Sequence, residues 1–336
     1  MNDQLLYVLR EIKDFVNLIP SVNASNFEDI ALRVFHFQYK NNLLYQSYAQ
    51  ALYKVPEKIT SIREIPFLPI RFSKTHTVIS GIWDAQIEFT SSSTSGTGVS
   101  RHQVWSLDFY LKNATSIFEQ FYGSLKNYHF LALLPSYIER RGSSLIAMID
   151  RFIKNDDTGN SGYFLNNHED LLSKIHSLKK SKKKTLLWGV SFALLDLAEK
   201  WEIDLSHCIV METGGMKGRR KEWVREEFHR FLCQRFNIDE IHSEYGMTEL
   251  LSQAYSKGEG YFSSPAWMKV VIRDINDPFE TVKGGAGAIN IIDLANVHSC
   301  SFIETEDLGR AVDGSKFEVL GRMDNSDIRG CNLLVS

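Results

Sequence analysis

TLLWGVSFALLDLAEKWEIDLSHCIVM, residues 185–211, holds the alternation that decides the fold. Thr185 to Val190 is an apolar run of strand length, Phe192 to Lys200 repeats its apolar residues at helical spacing, and Cys208 to Met211 is a second strand-like run. The rhythm extends both ways. A helix over Glu169 to Leu178 precedes the first strand, and a helix over Arg219 to Phe236 leads from the second to a short strand near Ile241. Strand, helix, strand, helix at this spacing predicts an α/β fold with a mostly parallel sheet covered on both faces.

Upstream, Leu5, Leu6, Val8, Leu9, Ile12 and Phe15 recur at helical spacing, followed less cleanly by Ile30, Leu32, Val34, Phe35 and Phe37. Ile65-Pro66-Phe67-Leu68-Pro69-Ile70 is excluded from a central strand or helix, because two prolines remove backbone donors. Val78 to Ile82 and Ile87 to Thr90 read as strands around a Gly81 turn, Gln103 to Tyr122 as an amphipathic helix, Tyr128 to Leu134 as a buried strand and Leu145 to Ile153 as a helix. Downstream, Met268 to Ile272, Ala288 to Ile292, Ser301 to Glu304 and Phe317 to Leu320 read as strands of a small β-rich subdomain with Gly-rich turns. The expected division is a helical segment over 1–60, an α/β core over 61–265, the β-rich part over 266–322 and a tail over 323–336.

The 336 residues are 43% hydrophobic and 24% charged, with a formal net charge of -3, which supplies a sizeable core and argues against disorder or a generic nucleic-acid binder. The Lys179-Lys180-Ser181-Lys182-Lys183-Lys184 run reads as a solvated turn before a strand, with Lys184 a candidate for attracting anionic substrates. Met1-Asn2-Asp3-Gln4 is not basic, and Leu5 to Val16 is broken by charged residues, so no signal peptide, no membrane span and a cytoplasmic location are expected. The cysteines Cys208, Cys233, Cys300 and Cys331 lack CxxC spacing, which argues against a zinc site or a disulfide framework.

Candidate chemistry lies in short motifs. Ser91-Ser92-Ser93-Thr94-Ser95-Gly96-Thr97-Gly98 offers the hydroxyls and exposed N–H groups that hold phosphate oxygens, ahead of an expected helix N-terminus. It is neither a Walker A loop nor GxGxxG, and a flexible linker is the competing reading. Gly214-Gly215 follows a strand, where paired glycines let a flat base lie against the backbone. In Glu244-Tyr245-Gly246-Met247-Thr248-Glu249, Tyr245 offers a stacking face, Thr248 a hydroxyl for phosphate and Glu249 a hard oxygen for Mg²⁺. An ordinary helix-capping turn competes with that reading. Asp307 suits ribose hydroxyls and Arg322 suits ribose or phosphate; each read alone is a surface ion-pair member. The histidines form no convincing catalytic set; His102, just after the loop, is the one to watch.

In this order, Ser95-Gly96-Thr97-Gly98, Glu244 to Glu249, Thr305-Glu306-Asp307-Leu308-Gly309-Arg310 and Gly321-Arg322-Met323-Asp324 resemble the core motifs of the adenylate-forming superfamily of acyl-CoA synthetases, adenylation domains and firefly luciferase. Glu212 to Arg219 and the short length look most like its bacterial acyl-protein synthetases, the LuxE-type component of the fatty acid reductase that supplies aldehyde for luminescence. The resemblance covers roughly residues 60 to 336 and implies the superfamily's N-terminal core fold. It assigns Ser92 to Gly98 to the β- and γ-phosphates, Gly214, Gly215 and Tyr245 to adenine, and Thr248 to the α-phosphate. Glu249 would bind Mg²⁺, Asp307 the ribose, and Arg322 would lie near the hinge; Glu244 and Gly246 complete the motif. The implied reaction activates a carboxylic acid, expected to be a long-chain fatty acid, with ATP to an acyl-adenylate.

Two departures from the superfamily stand out. The loop reads SGTG in place of SGTTG, with Arg101 where a lysine often lies. The chain stops at Ser336, just past the hinge motif, so the mobile C-terminal domain and its catalytic lysine are expected to be missing, with Lys217 or Arg101 as replacement cations. By the resemblance, Cys331 in Arg329-Gly330-Cys331-Asn332 would carry the acyl group as a thioester and pass it to a protein partner, an acyl reductase. The acyl pocket would be lined by aromatics such as Trp105, Phe109 and Tyr137. An acyl- or aryl-CoA ligase and a non-catalytic nucleotide-binding regulatory subunit remain as rivals, and a homo- or hetero-oligomer is open.

Overall fold

A computed structural model of the protein describes residues 3–91, 98–135, 140, 142–215, 223–282, 284–313 and 316–323. In chain order the strands are β1 (Leu68–Pro69), β2 (Ile87–Thr90), β3 (Arg101–Val104), β4 (Tyr128–Leu133), β5 (Gly162–Tyr163), β6 (Lys184–Val190), β7 (Cys208–Thr213), β8 (His242–Tyr245), β9 (Ala254–Ser256), β10 (Tyr261–Ser263), β11 (Met268–Arg273), β12 (Ala286–Asp293), β13 (Phe302–Asp313) and β14 (Lys316–Arg322). The α-helices are α1 (Asp3–Leu18), α2 (Phe27–Asn41), α3 (Leu43–Ala51), α4 (Phe72–Thr75), α5 (Leu107–Tyr122), α6 (Ser144–Lys154), α7 (His168–Leu178), α8 (Ser191–Lys200) and α9 (Arg225–Phe236). The chain divides into two compact units, residues 84–265 and residues 1–83 with 266–336.

The 84–265 unit contains the predicted parallel sheet, in the order β5-β4-β6-β7-β8, extended antiparallel by β9 and β10. All of β4 and β6 from Thr185 onward is buried, as a strand with both faces covered must be. Phe118 of α5 and Phe152 of α6 pack on Phe130 and Trp188 of the sheet, with Phe118 and Phe152 ring centroids 5.1 Å apart. Side-chain oxygens of Ser106, Ser143 and Asn167 accept from the first-turn amides of α5, α6 and α7, which fixes where those helices start.

Three expectations change here. Val78 to Ile82 is not a strand, and Gly81 donates instead to the Asn41 carbonyl at 2.7 Å. Gln103 does not open a helix, because Arg101–Val104 pairs antiparallel with β2, burying His102 and Val104 on one face, and the helix waits for the Ser106 cap. The hydroxyl-rich loop therefore joins two strands of a hairpin rather than leading into a helix. In the described residues α9 begins at Arg225 rather than Arg219, with Val224 still extended and Glu226 and Glu227 in the first turn. Residues 216–222 lie outside the described chain.

In the other unit, β11-β12-β13-β14 form an antiparallel sheet. The two-proline segment contributes only β1, a two-residue parallel pairing of Leu68 and Pro69 with Ile303 and Glu304. The strand resumes donation at Ile70, whose N–H reaches the Glu304 carbonyl at 2.9 Å. Helices α2 and α3 dock here through Phe35, Tyr45, Phe67 and Phe302, with Tyr45 stacked on Phe302 at 6.0 Å. Buried Gln38 ties α2 to the segment before β13, donating to the Val297 carbonyl at 2.9 Å and accepting from the Ser301 amide at 3.0 Å.

Candidate functional site

In an open parallel sheet the carboxyl ends of adjacent strands form the natural ligand edge. In the 84–265 unit that edge carries the end of β7, continuing into Gly214-Gly215, and the end of β8, continuing into Gly246-Met247-Thr248-Glu249. The two ends are joined directly. Thr213 and Glu244 are partners in the β7–β8 register, and the Thr213 hydroxyl donates to the buried Glu244 carboxylate. Gly214 takes φ +67°, a left-handed conformation that strongly favours glycine, and both it and Gly215 are exposed. Space is tight at Gly246 as well, where a Cβ would lie 2.5 Å from Glu244 Oε1 and that carboxylate would have to shift.

Behind the glycine turn sits an acid that the sequence reading did not assign a role. Glu212 is buried, accepting from Ser191 Oγ at 2.8 Å and Ser243 Oγ at 3.0 Å, with His229 Nε2 at 3.5 Å. Burial pushes its carboxyl up, but His229, Arg225 and Ser191 outweigh that and hold it below the ordinary glutamate range. Ser191 Oγ is also within hydrogen-bond reach of the Gly214 carbonyl, so the first residue of α8 fixes the turn. The contributors lie far apart in sequence, and no local motif announces them.

The hydroxyl-rich loop is anchored from below. Ser91 and Ser100 exchange two bonds, Ser91 N–H to the Ser100 carbonyl at 3.1 Å and Ser100 N–H to Ser91 Oγ at 3.0 Å. One residue past that clamp, Thr90 donates to the Gly142 carbonyl at 2.7 Å. On β3, buried His102 lies with Nδ1 2.8 Å from the Thr248 carbonyl, which ties the stem of the loop to the segment after β8. Asn113 of α5 steadies that segment further on, donating to the Leu251 carbonyl at 2.8 Å. His102, singled out from sequence by position alone, is thus a positioning group.

Among the predicted site residues, Gly98 is exposed at the end of the loop, Thr248 is half-buried, and Tyr245 and Glu249 are buried. Arg101 is exposed on the hairpin stem, 3.6 Å from Glu88. Asp307 and Arg322 belong to the other unit, where they are cross-strand partners in β13 and β14 with Arg322 Nε 3.6 Å from Asp307 Oδ1. Ser92, Ser93, Thr94, Ser95, Gly96, Thr97, Lys217 and Cys331 lie outside the described residues. Of the described cysteines, Cys208 and Cys233 are half-buried rather than fully enclosed, and burial pushes the Cys208 and Cys300 thiols up to about 12. Among the described residues no group of three or more His, Cys, Asp or Glu is placed to hold a metal ion by itself, and no helix is long and apolar enough to cross a membrane.

No protein-family model and no curated protein matches the chain. Solved structures do. The chain is similar to an open conformation of 2-hydroxyisobutyryl-CoA ligase in complex with 2-HIB-AMP and CoA, with TM-score 0.61, 10% identity, and coverage of 88% of this chain and 74% of that one. It is also similar to ATP-bound MatB from Rhodopseudomonas palustris, with TM-score 0.52, 17% identity, and coverage of 70% and 47%. An ATP-bound RpMatB-BxBclM chimera gives TM-score 0.53 at 17% identity, covering 73% and 49%. The chain thus spans about half the length of the two MatB-type structures. These likenesses establish the fold, an α/β core of the kind the motif order implied.

Proposed function

We propose that the protein is an ATP-dependent acid-activating ligase that forms an acyl-adenylate. The reading rests on one observation above the rest: adjacent strand ends place an exposed glycine turn beside the Tyr245–Glu249 segment, and His102 ties that segment to the stem of the hydroxyl-rich loop. Gly214 and Gly215 would lie against adenine beside Tyr245, and Thr248 would meet the α-phosphate. A carboxylate oxygen would attack the α-phosphorus while the bond to pyrophosphate breaks. Backbone N–H groups and hydroxyls that such a site fixes in advance would hold the developing charge. Mg²⁺ is commonly held by one or two carboxylates together with substrate phosphates and water, so Glu249 alone suffices as its protein ligand.

The finer reading is acyl transfer to Cys331 as a thioester and on to a partner protein, with a long-chain fatty acid as substrate. The motif resemblance supports it, with Cys331 in the Gly-flanked Arg329-Gly330-Cys331-Asn332 stretch. A CoA ligase is the second reading, favoured by the names of the structures that share the fold. ATP–pyrophosphate exchange against a panel of carboxylic acids tests the common part; exchange with none of them removes it. Radiolabelled fatty acid with ATP, comparing wild type with Cys331→Ser and adding CoA in a parallel arm, separates the two. Label retained on the Cys331→Ser protein removes the thioester step, and label transferred to CoA favours the ligase.

A further inference from the structure

At the opposite end of the same sheet, away from the strand ends discussed above, three side chains meet that no motif joins. His129 is the second residue of β4, Asp156 follows α6, and Ser181 lies in the turn before β6. His129 Nδ1 is 2.8 Å from Asp156 Oδ2, and His129 Nε2 is 2.9 Å from Ser181 Oγ. The Asp156 side chain is 1% exposed and that of His129 2%, whereas Ser181 is exposed. Asp156 also accepts from Ser161 Oγ at 2.7 Å, Thr158 Oγ1 at 2.9 Å and Lys183 Nζ at 2.8 Å. Burial opposes ionisation, but these donors and His129 hold its carboxyl well below the usual carboxylate range.

The hydrogen bonds set the proton inventory. An ionised Asp156 accepts a hydrogen bond from Nδ1–H, and in that tautomer of the neutral ring Nε2 is the acceptor facing the Ser181 hydroxyl. Ser181 Oγ accepts from the Lys183 amide at 3.1 Å, which leaves its own proton directed at Nε2. This is the order of roles in an acid–base–nucleophile relay. A purely packing role would satisfy the same ring nitrogens. What it does not require is that the serine at the end of the relay be an exposed residue, set among the exposed Lys180, Lys182 and Lys184.

We infer that Ser181, His129 and Asp156 form a second reactive centre, independent of the nucleotide reading, that hydrolyses small carboxylic esters carrying a negative charge. Ser181 Oγ bonds to the ester carbonyl carbon as its proton passes to His129 Nε2. The bond from that carbon to the alkoxy oxygen then breaks, and the leaving oxygen takes the proton from Nε2. Water repeats the sequence on the acyl-serine, releasing the acid and restoring the hydroxyl. Asp156 stays ionised throughout and stabilises the transient imidazolium. The lysines favour anionic esters through a term that salt screens.

The test uses the full chain, a fluorophosphonate probe, and two esters, phenyl acetate and 4-acetoxybenzoate. Mass spectrometry should find the phosphonyl adduct on Ser181. Ser181→Ala, an exposed substitution, should lower ester hydrolysis by about 100-fold or more while leaving ATP–pyrophosphate exchange unchanged. The anionic ester should be cleaved faster than the neutral one, with an advantage that shrinks as salt rises. No adduct, an adduct on another residue, or undiminished hydrolysis by Ser181→Ala overturns the centre. Faster cleavage of phenyl acetate overturns the proposed substrate class. Ester hydrolysis and exchange falling together in Ser181→Ala would overturn the independence of the two centres, whereas wild-type protein that lacks exchange but gives the Ser181 adduct and hydrolysis leaves this centre standing and removes only acid activation.

Discussion

The two ends of the parallel sheet each hold a buried carboxylate, a histidine and a serine, in different arrangements. At the carboxyl end, Glu212 meets Ser191 and His229, and all three are largely shielded from water. There the serine is turned inward, toward the acid and the Gly214 carbonyl, so the group shapes backbone. At the amino end, Asp156 meets His129, whose other ring nitrogen meets the hydroxyl of Ser181, an exposed residue. In both, donors overcome burial and hold the acid ionised. The comparison turns on where the serine residue sits: Ser191 is buried and shapes backbone, whereas Ser181 is an exposed residue that a molecule from solvent can approach.

The strongest way to break this comparison is to remove each acid. Asp156→Ala and Glu212→Ala each leave buried partners unmatched and should cost about 3–5 kcal/mol in urea denaturation. A loss under about 1 kcal/mol at either end would show that its cluster is not load-sharing with the fold. A smaller effect is expected at Gly246, where an added Cβ meets a Glu244 carboxylate already held by Thr213. Gly246→Ala should cost about 1–3 kcal/mol and lower ATP–pyrophosphate exchange. Full exchange in that variant would detach the turn from the nucleotide site.

Acid titration sharpens the likeness between the ends. Both carboxyls sit lower in the folded chain than the ordinary values of about 4. Their contribution is therefore complete at neutral pH and is lost as pH falls through about 4 toward the folded values. The melting temperature should drop between about pH 5 and pH 3, and Asp156→Asn should flatten that slope; an unaltered slope would assign the acid sensitivity elsewhere. The smallest effect belongs to the Asp307–Arg322 pair, whose arginine is 83% exposed. Arg322→Ala should shift stability by no more than about 0.5 kcal/mol, which leaves any fall in exchange activity to be read as a contact with substrate.

Much of this architecture was legible in the amino-acid order. Fully apolar runs such as Leu186 to Val190 announce strands covered on both faces, and the structure keeps them there. Gln103 and Val104 read as the start of the helix because the strand's burial alternates over only four residues, too short to stand out beside the long apolar periodicity of α5. β9 and β10, three residues each, escaped for the same reason. At the candidate site, motif spacing drew attention to Gly214, Thr248 and Glu249, which the structure places at the ends of adjacent strands or just after them. Glu212 with Ser191 and His229, and His129 with Asp156 and Ser181, were not, since hydrogen bonds across strands and helices leave no periodic trace.

The Ser91–Ser100 clamp has a consequence for how this protein can vary. Because the stem is closed by its own bonds, the span above it can gain or lose a residue without disturbing strand register. One residue more or less alters the closure entropy by about 0.1 kcal/mol. A one-residue difference in that stretch is therefore thermodynamically almost invisible to the scaffold, so any constraint on its length comes from what the stretch binds and not from folding.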